Sequence, residues 1–179
     1  MRYTQKQFDA FPIVDGMRQC PSGDYGDIRN FGASCSFAEG SSFAVWSSFG
    51  ERSSFAERSS FGGRSSFAEG SSFGERSSFG ERSSFGAGCS FGNGCMFEGG
   101  HKALPGYPLM SLAGCGSMNR TVYAFNVESG PIIRAGCFVG TLSEFRSKVR
   151  ADGDRLKSLQ YLGFANIVAA TWCPERIEK

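Results

Sequence analysis

The sequence predicts a mainly β protein in which short strands wind into a narrow coil. The first observation is a phenylalanine at every sixth residue, without insertion, from Phe31 to Phe97. The second is that, from the second repeat on, a Ser or Cys stands two positions before each phenylalanine, and a Gly or Ala follows it until Glu98. Because six is an even number, each repeat presents the same alternation to a strand, so one bulky and one small side chain point inward together.

Each repeat also carries its own turn. The two residues after Gly or Ala are mostly Glu, Arg, Gly or Asn, which suit a corner of the chain. The pattern Phe-[Gly/Ala]-x-x-[Ser/Cys]-x resembles the hexapeptide repeat of left-handed parallel β-helices, with Phe where an aliphatic residue is usual. The resemblance implies a triangular coil of three repeats. It alone gives the left hand, because the general preference for right-handed crossovers favours the opposite.

Twelve repeats predict about four coils, roughly 19 Å in length at about 4.8 Å per strand. Phenylalanines three repeats apart are then expected to stack in three columns. An alternative is disorder, since Phe-Gly dipeptides with Ser resemble the FG-repeat segments of nuclear-pore proteins. Those segments have irregular spacers, so the unbroken register here favours the coil.

The flanks predict caps, because an open β-helix exposes unpaired strand edges at both ends. Residues 1–30 are the expected N-terminal cap, in which Thr4 can N-cap a short helix that carries Phe8 and Phe11. The β-helix is expected over 31–100, a linking loop over 101–118, and a C-terminal α+β capping or oligomerisation unit over 119–179.

The C-terminal unit is predicted as ββαα. The apolar runs "TVYAFNV" and "IIRAGCFVG" are separated by "ESGP", which indicates a hairpin. Thr141 and Glu144 form a capping-box pattern that opens one helix. Asp154 can N-cap a second helix that runs to about Trp172.

Composition excludes several classes of function. The net charge is +2, from 19 basic and 17 acidic residues without blocks of like charge, so we do not expect nucleic acid or an acidic membrane as the main partner. The chain has seven cysteines but no CxxC pair, which argues against a disulfide framework and a zinc site. No apolar signal core and no cofactor motif is present, so we expect a reduced, cytoplasmic protein without cofactor or metal.

One repeat departs from the pattern at its corner. "SSFAVWSSFG" places Val45 and Trp46 where neighbouring repeats carry Glu and Arg. One coil further on, Arg64 is expected to lie against the Trp46 indole in a cation–π contact. Two interpretations stay open: a terminal segment of the same chain covers Trp46, or Trp46 anchors a partner or a second copy of this chain.

His101 is the only histidine and follows the last repeat, beside Lys102. Hexapeptide β-helix acyltransferases commonly use a coil histidine as general base, between subunits of a trimer, with acyl-CoA or an acyl carrier as donor. The alternative function is therefore a hexapeptide-type acyltransferase with His101 as its general base. His101 lies off the repeat register, however, and no inserted loop builds a donor pocket. A loop histidine, hydrogen-bonded or solvated, is the favoured interpretation, and we include His101 and Lys102 with Val45, Trp46 and Arg64 as the predicted partner-binding residues.

The segments "RQCPSGDY", "FEGGHKALPGYPL" and "TVYAFNVESGPIIRAGCFVGTLSEF" are similar to segments of uncharacterised bacterial and bacteriophage accessory proteins. Those proteins join a Phe hexapeptide coil of variable length to the same ends. The resemblance implies a phage or mobile-element origin. We therefore expect a non-enzymatic, rigid binding module that binds and inhibits a host protein in the host cytoplasm, including a protein of a defence system, and that forms a homo-oligomer.

Overall fold

The computed structural model describes residues 1–97, 100–104, 108–116, 120–153 and 155–173. The chain divides into two compact units, Met1–Gly106 and Tyr107–Lys179. Among the described helices, none combines the length and the apolar character that a bilayer crossing requires.

The first unit contains one short helix and many very short strands. Its elements are α1 (Gln5–Asp9), β1 (Ile13–Val14), β2 (Met17–Cys20), β3 (Asn30–Phe31), β4 (Cys35–Phe37), β5 (Ser42–Phe43), β6 (Ser48–Phe49), β7 (Ser54–Phe55), β8 (Ser60–Phe61), β9 (Ser66–Phe67), β10 (Ser72–Phe73), β11 (Ser78–Phe79), β12 (Ser84–Phe85), β13 (Ser90–Phe91), β14 (Met96–Phe97) and β15 (His101–Lys102).

These strands stack into the three parallel sheets of a β-helix. The sheets contain β4-β7-β10-β13, β5-β8-β11-β14 and β3-β6-β9-β12. The register places phenylalanines three repeats apart beside each other, as Phe31 with Phe49 and Phe43 with Phe61. The predicted mainly β fold of about four stacked coils is therefore confirmed, whereas the left hand stays a prediction from the resemblance.

The core of the β-helix is three columns of phenylalanine rings. Rings of one column lie 4.6–5.6 Å apart, with interplanar angles of 1–19°. Rings of consecutive repeats meet edge to face at 75–90°. Both are the arrangements that aromatic quadrupoles prefer, and each such pair adds about 0.5–1.5 kcal/mol beyond its buried area.

The small inward residue of each repeat makes a hydrogen bond inside the coil. The serines from Ser41 to Ser83 are at most 1% exposed, and each Oγ donates to the carbonyl three residues earlier, at 2.6–3.0 Å. The Cys35 thiol donates to the equivalent carbonyl, that of Gly32, at 3.4 Å. The buried polar atom is thus satisfied in every coil, as burial requires.

Every corner contains one residue in the left-handed region. The third residue after each phenylalanine from Phe31 to Phe91 has a φ between 55° and 72°, and in five corners it is Arg. Its amide donates to a carbonyl of the next coil, as from Arg52 to Glu69 at 2.9 Å. Left-handed backbone costs a non-glycine residue of the order of 1–2 kcal/mol, so the coil imposes this conformation against the local preference.

The repeat begins earlier than the phenylalanines show. Tyr25 stands one repeat before Phe31, is fully buried, and stacks on Phe43 at 5.3 Å and 15°. Phe8, on α1, stacks on Phe37 at 6.4 Å and 8° and so ends a second column. The predicted N-cap of α1 is confirmed, because Thr4 and Gln7 form a reciprocal capping box. Residues 1–30 therefore supply both a cap and part of a coil.

The last coil is followed by a strand that runs the other way. β15 pairs antiparallel with β14, with Phe97 opposite His101 and Met96 opposite Lys102. This strand lies where the sequence predicted a linking loop over 101–118. β15 covers the edge of the sheet that β14 would otherwise expose. An open β-helix needs such a cover, because unpaired strand edges can pair with other chains.

The second unit is an antiparallel sheet with two helices. Its elements are β16 (Leu109–Cys115), β17 (Arg120–Phe125), β18 (Ile132–Ala135), β19 (Phe138–Thr141), α2 (Leu142–Ala151) and α3 (Arg155–Trp172). The sheet order is β16-β17-β18-β19. Its core joins residues of the sheet to residues of both helices, namely Cys115, Val122, Ala124, Ile133, Phe145, Val149, Tyr161, Phe164, Ala165 and Val168.

The predicted ββαα arrangement is corrected here, because the described part of this unit has four strands before the helices. The run "IIRAGCFVG" folds back on itself, since Ala135 pairs with Phe138 across a two-residue turn. Gly136 takes a φ of 64° at the first turn position, as a type II′ turn demands. The fourth strand, β16, lies in the range predicted as a loop.

The helix predictions for this unit are largely confirmed. The Thr141 amide donates to Glu144 Oε2 at 2.8 Å, and the Glu144 amide donates to Thr141 Oγ1 at 3.3 Å. The Thr141 hydroxyl also donates to Glu144 Oε2, at 2.8 Å, and the two bonds that this carboxylate accepts from the Thr141 amide and hydroxyl lower the pKa of Glu144. α3 ends at Trp172 as predicted, whereas the predicted N-cap, Asp154, lies outside the described residues.

Cysteine reactivity gives a test of this packing. Five cysteines are buried, Cys137 is exposed and Cys173 is half-buried. Burial raises the pKa of the Cys95 thiol to about 11, so roughly one such thiol in a thousand is the reactive thiolate at pH 8. We expect iodoacetamide at pH 8 to alkylate Cys137 and Cys173 within minutes and to spare the buried five, as peptide mass mapping would show. All seven should react in guanidinium; alkylation of native Cys95 as fast as Cys137 would contradict the buried position.

Candidate functional site

One corner of the β-helix differs from the others in the side chains that it exposes. Val45 and Trp46 follow β5, Gly63 and Arg64 follow β8 one coil later, and Glu81 and Arg82 follow β11. Together these residues line a shallow concavity of about 360 Å³. We name this surface, made of Val45, Trp46, Gly63, Arg64, Glu81 and Arg82, the tryptophan corner.

Trp46 occupies the left-handed position of its corner, with a φ of 64°. Its amide donates to the Gly63 carbonyl at 3.0 Å, which fixes the backbone to the next coil. The Trp46 side chain is 59% exposed and that of Val45 is 49% exposed. Within the part of the chain that the structure describes, the interpretation in which a terminal segment covers Trp46 is therefore wrong.

Arg64 lies over the indole of Trp46. Its guanidinium carbon is 4.6 Å from the ring centroid, so the predicted cation–π contact is confirmed. At such a partly exposed site this contact contributes about 0.5–1 kcal/mol. Arg64 also donates its backbone amide to the Glu81 carbonyl at 2.7 Å, so both ends of the residue are held.

One neighbouring corner holds an ion pair instead, whereas Arg76 and Glu57, which have the same spacing along the chain, are not within 4.0 Å of each other. Arg58 Nη1 contacts Glu39 Oε1, one coil earlier, at 2.8 Å. In the tryptophan corner, Val45 occupies the position relative to Arg64 that Glu39 occupies relative to Arg58. Since both side chains of the Arg58–Glu39 pair are more than half exposed, its contribution to stability is at most about 1 kcal/mol. The exchange of Glu-Arg for Val-Trp therefore changes the surface much more than it changes the fold.

The structure does not bring His101 and Lys102 to this surface. Both lie on β15, which is separated from β5 by three intervening strands of one sheet. From Val45 and Trp46 the separation is four strand spacings, about 19 Å, and from Glu81 and Arg82, which follow β11, it is two strand spacings, about 10 Å. His101 is half-buried opposite Phe97, and the described residues contain no cluster of three His, Cys, Asp or Glu side chains that could hold a metal ion. Val45, Trp46 and Arg64 thus form one predicted group, while His101 and Lys102 form another.

Sequence reasoning missed Glu81 and Arg82, which line the third coil of the same corner. Counting one further coil from Arg64 would have found them, because corner residues recur every three repeats. A comparison with known proteins adds no assignment: the chain matches no protein-family model, no curated protein and no solved structure at significant similarity.

Proposed function

We propose that this chain is a non-enzymatic binding protein, which uses its β-helix as a rigid scaffold and its tryptophan corner to bind and inhibit a host protein. One observation carries the proposal: Trp46 is 59% exposed, although the corresponding residue of neighbouring repeats is Arg or Gly. Tryptophan and arginine are the residue types most enriched among those that dominate binding energy at protein interfaces. The stacked pair of Trp46 and Arg64 offers both within one corner.

The scaffold supports binding because it holds the corner in one conformation. The corner backbone is hydrogen-bonded to the next coil at both Trp46 and Arg64, and the phenylalanine columns lie directly behind it. A partner therefore meets side chains that are already ordered. Pre-ordering reduces the entropic cost of association and so favours affinity.

The biological setting in this proposal is a phage or mobile-element accessory protein that acts in the host cytoplasm on a host protein, including one of a defence system. This part rests on the resemblance of the flanking segments to bacterial and bacteriophage accessory proteins. In the same proposal the second unit supplies a surface for self-association, since Leu159 and Ile167 are exposed at 66% and 58% along α3.

The double variant Val45→Glu and Trp46→Arg tests the proposal. It changes residues 41–50 to "SSFAERSSFG", the sequence that this chain already has at residues 53–62, so we expect the fold to be kept. A tagged wild-type chain and the double variant would be used to capture proteins from a bacterial host lysate, with quantitative mass spectrometry. We expect the double variant to capture at least tenfold less of the partner than the wild-type chain does.

The captured protein would then be purified and its binding to both chains measured directly. Arg52→Gln is the matched control, because Arg52 lies in another corner with the same left-handed backbone. It should bind as the wild type does. Equal affinity of the purified partner for the wild type and the double variant would refute the role of the tryptophan corner.

A further inference from the structure

We infer that the partner segment at the tryptophan corner is acidic, with a carboxylate that binds the Arg64 guanidinium and an apolar side chain that packs on Val45 and Trp46. This inference rests on the proposed function and specifies the chemistry of its partner. It starts from a comparison of two arginines, Arg58 and Arg64, that the repeat places in equivalent positions.

Arg58 shows how an arginine in this position binds a carboxylate. The φ of Arg58 is 57° and that of Arg64 is 60°, so the two side chains leave the backbone in the same direction. Arg58 Nη1 donates to Glu39 Oε1 in the preceding coil at 2.8 Å. The equivalent residue for Arg64 is Val45, which has no acceptor. Among the described residues, no carboxylate oxygen lies within the 4.0 Å of an ion pair with Arg64.

The indole prepares Arg64 for such a ligand. The guanidinium carbon of Arg64 lies 4.6 Å from the Trp46 ring centroid. A guanidinium that contacts a ring with its flat face keeps its N–H donors in its own plane, away from the ring. A guanidinium can therefore stack and donate to a carboxylate at the same time. Charge-assisted bonds of this kind are about twice as strong as neutral ones, and an arginine already held on a ring loses less freedom when it forms them.

The surroundings favour an acidic ligand over a basic one. The cation beside the apolar wall of the concavity is Arg64, and neither Val45 nor Trp46 places a carboxylate next to it. Gly63 stands where most neighbouring repeats carry Glu, so no side chain rises from the middle of this corner. The Arg64 cation beside an apolar wall at Val45 and Trp46 attracts a carboxylate that is next to an apolar side chain.

Three labelled peptides test this chemistry. Each has a central Leu, flanked on both sides by two Glu, two Gln or two Lys, and carries fluorescein at its N-terminus. Binding to the full-length protein would be followed by fluorescence anisotropy at low salt. We expect the Glu peptide to bind at least tenfold more tightly than the Gln peptide, and the Lys peptide to bind more weakly than either.

Two variants and one control locate the effect. Arg64→Gln removes the cation, and Val45→Glu supplies an internal carboxylate that mimics Glu39; each should reduce the affinity for the Glu peptide to that of the Gln peptide. Arg52→Gln is the control, since Arg52 has a φ of 56° and Ala33 one coil earlier, but no indole beneath it. Its affinity should be that of the wild type.

The outcomes separate this inference from the proposed function. Equal binding of the Glu and Gln peptides, or equal losses with Arg52→Gln and Arg64→Gln, would overturn the acidic partner. If host-protein capture still depends on Val45 and Trp46 in that case, the proposed function stands and only its chemistry was wrong. Concentration-dependent self-association that Trp46→Arg abolishes in sedimentation would identify a second copy of this chain as the occupant, and would overturn the inference as well.

Discussion

Replacing Phe61 by alanine is expected to lower the free energy of unfolding by about 3–5 kcal/mol, the usual cost of a buried Phe-to-Ala change. Phe61 is 4% exposed and stacks between Phe43 and Phe79 at 5.0 and 5.1 Å. It also meets Phe55 and Phe67 edge to face at 4.8 Å. The backbone ladder holds the coils apart, so the neighbouring rings cannot collapse into the cavity. Guanidinium unfolding followed by far-UV circular dichroism measures the loss.

Phe61→Leu is the matched control, because it keeps an apolar side chain of similar volume but removes the ring. We expect the change in volume to lower the free energy of unfolding by less than about 1.5 kcal/mol. The loss of the ring contacts adds to this figure. A Phe61→Ala protein that unfolds at the wild-type guanidinium concentration would contradict a continuous ring column at this position.

Deletion of residues 57–74 is expected to leave a folded protein with one coil fewer. The deletion joins Ala56 to Glu75, so the repeat continues in register and every phenylalanine still points inward. The shortened chain should retain its β circular dichroism and a cooperative thermal transition, at a lower temperature because less apolar surface is buried.

The control is a deletion that is one residue shorter, 57–73. Gly74 then remains, and all later phenylalanines shift by one position. Because strand side chains alternate with a period of two, this shift turns the inward set outward. We expect this second chain to lose cooperative unfolding. A common transition temperature for both deletions would contradict the register described here.

The coil could be predicted from the sequence because its period is strict, but its first part could not. Tyr25 stands in register with the phenylalanines and stacks on Phe43, yet neither its ring nor the Gly23 two positions earlier matches the repeat. In the second unit, β16 was missed because Gly114 and Pro108 suggest a loop. Its strand conformation depends on pairing with β17, which local sequence does not contain.

The same division applies to the candidate site. The contact between Trp46 and Arg64 was predictable because the period fixes which residues are neighbours in adjacent coils. The exposure of Trp46 was not, because it depends on whether another segment folds over the corner. Likewise, the antiparallel pairing of His101 with Phe97 reverses the direction that every preceding repeat predicts.

The near identity of the coils has a consequence for folding kinetics. A strand that slipped by one whole coil would meet the same rings and the same serine hydroxyls, so its local contacts in the slipped register are nearly the native ones, and the slip costs only the burial of the coil that is left out. The ends differ from the coils and so remove this degeneracy: Phe8 stacks on Phe37 and meets Phe31 edge to face, and β15 pairs antiparallel with β14. We therefore expect the order in which the ends dock to decide which register the chain adopts, and slow escape from slipped registers to appear as a minor refolding phase.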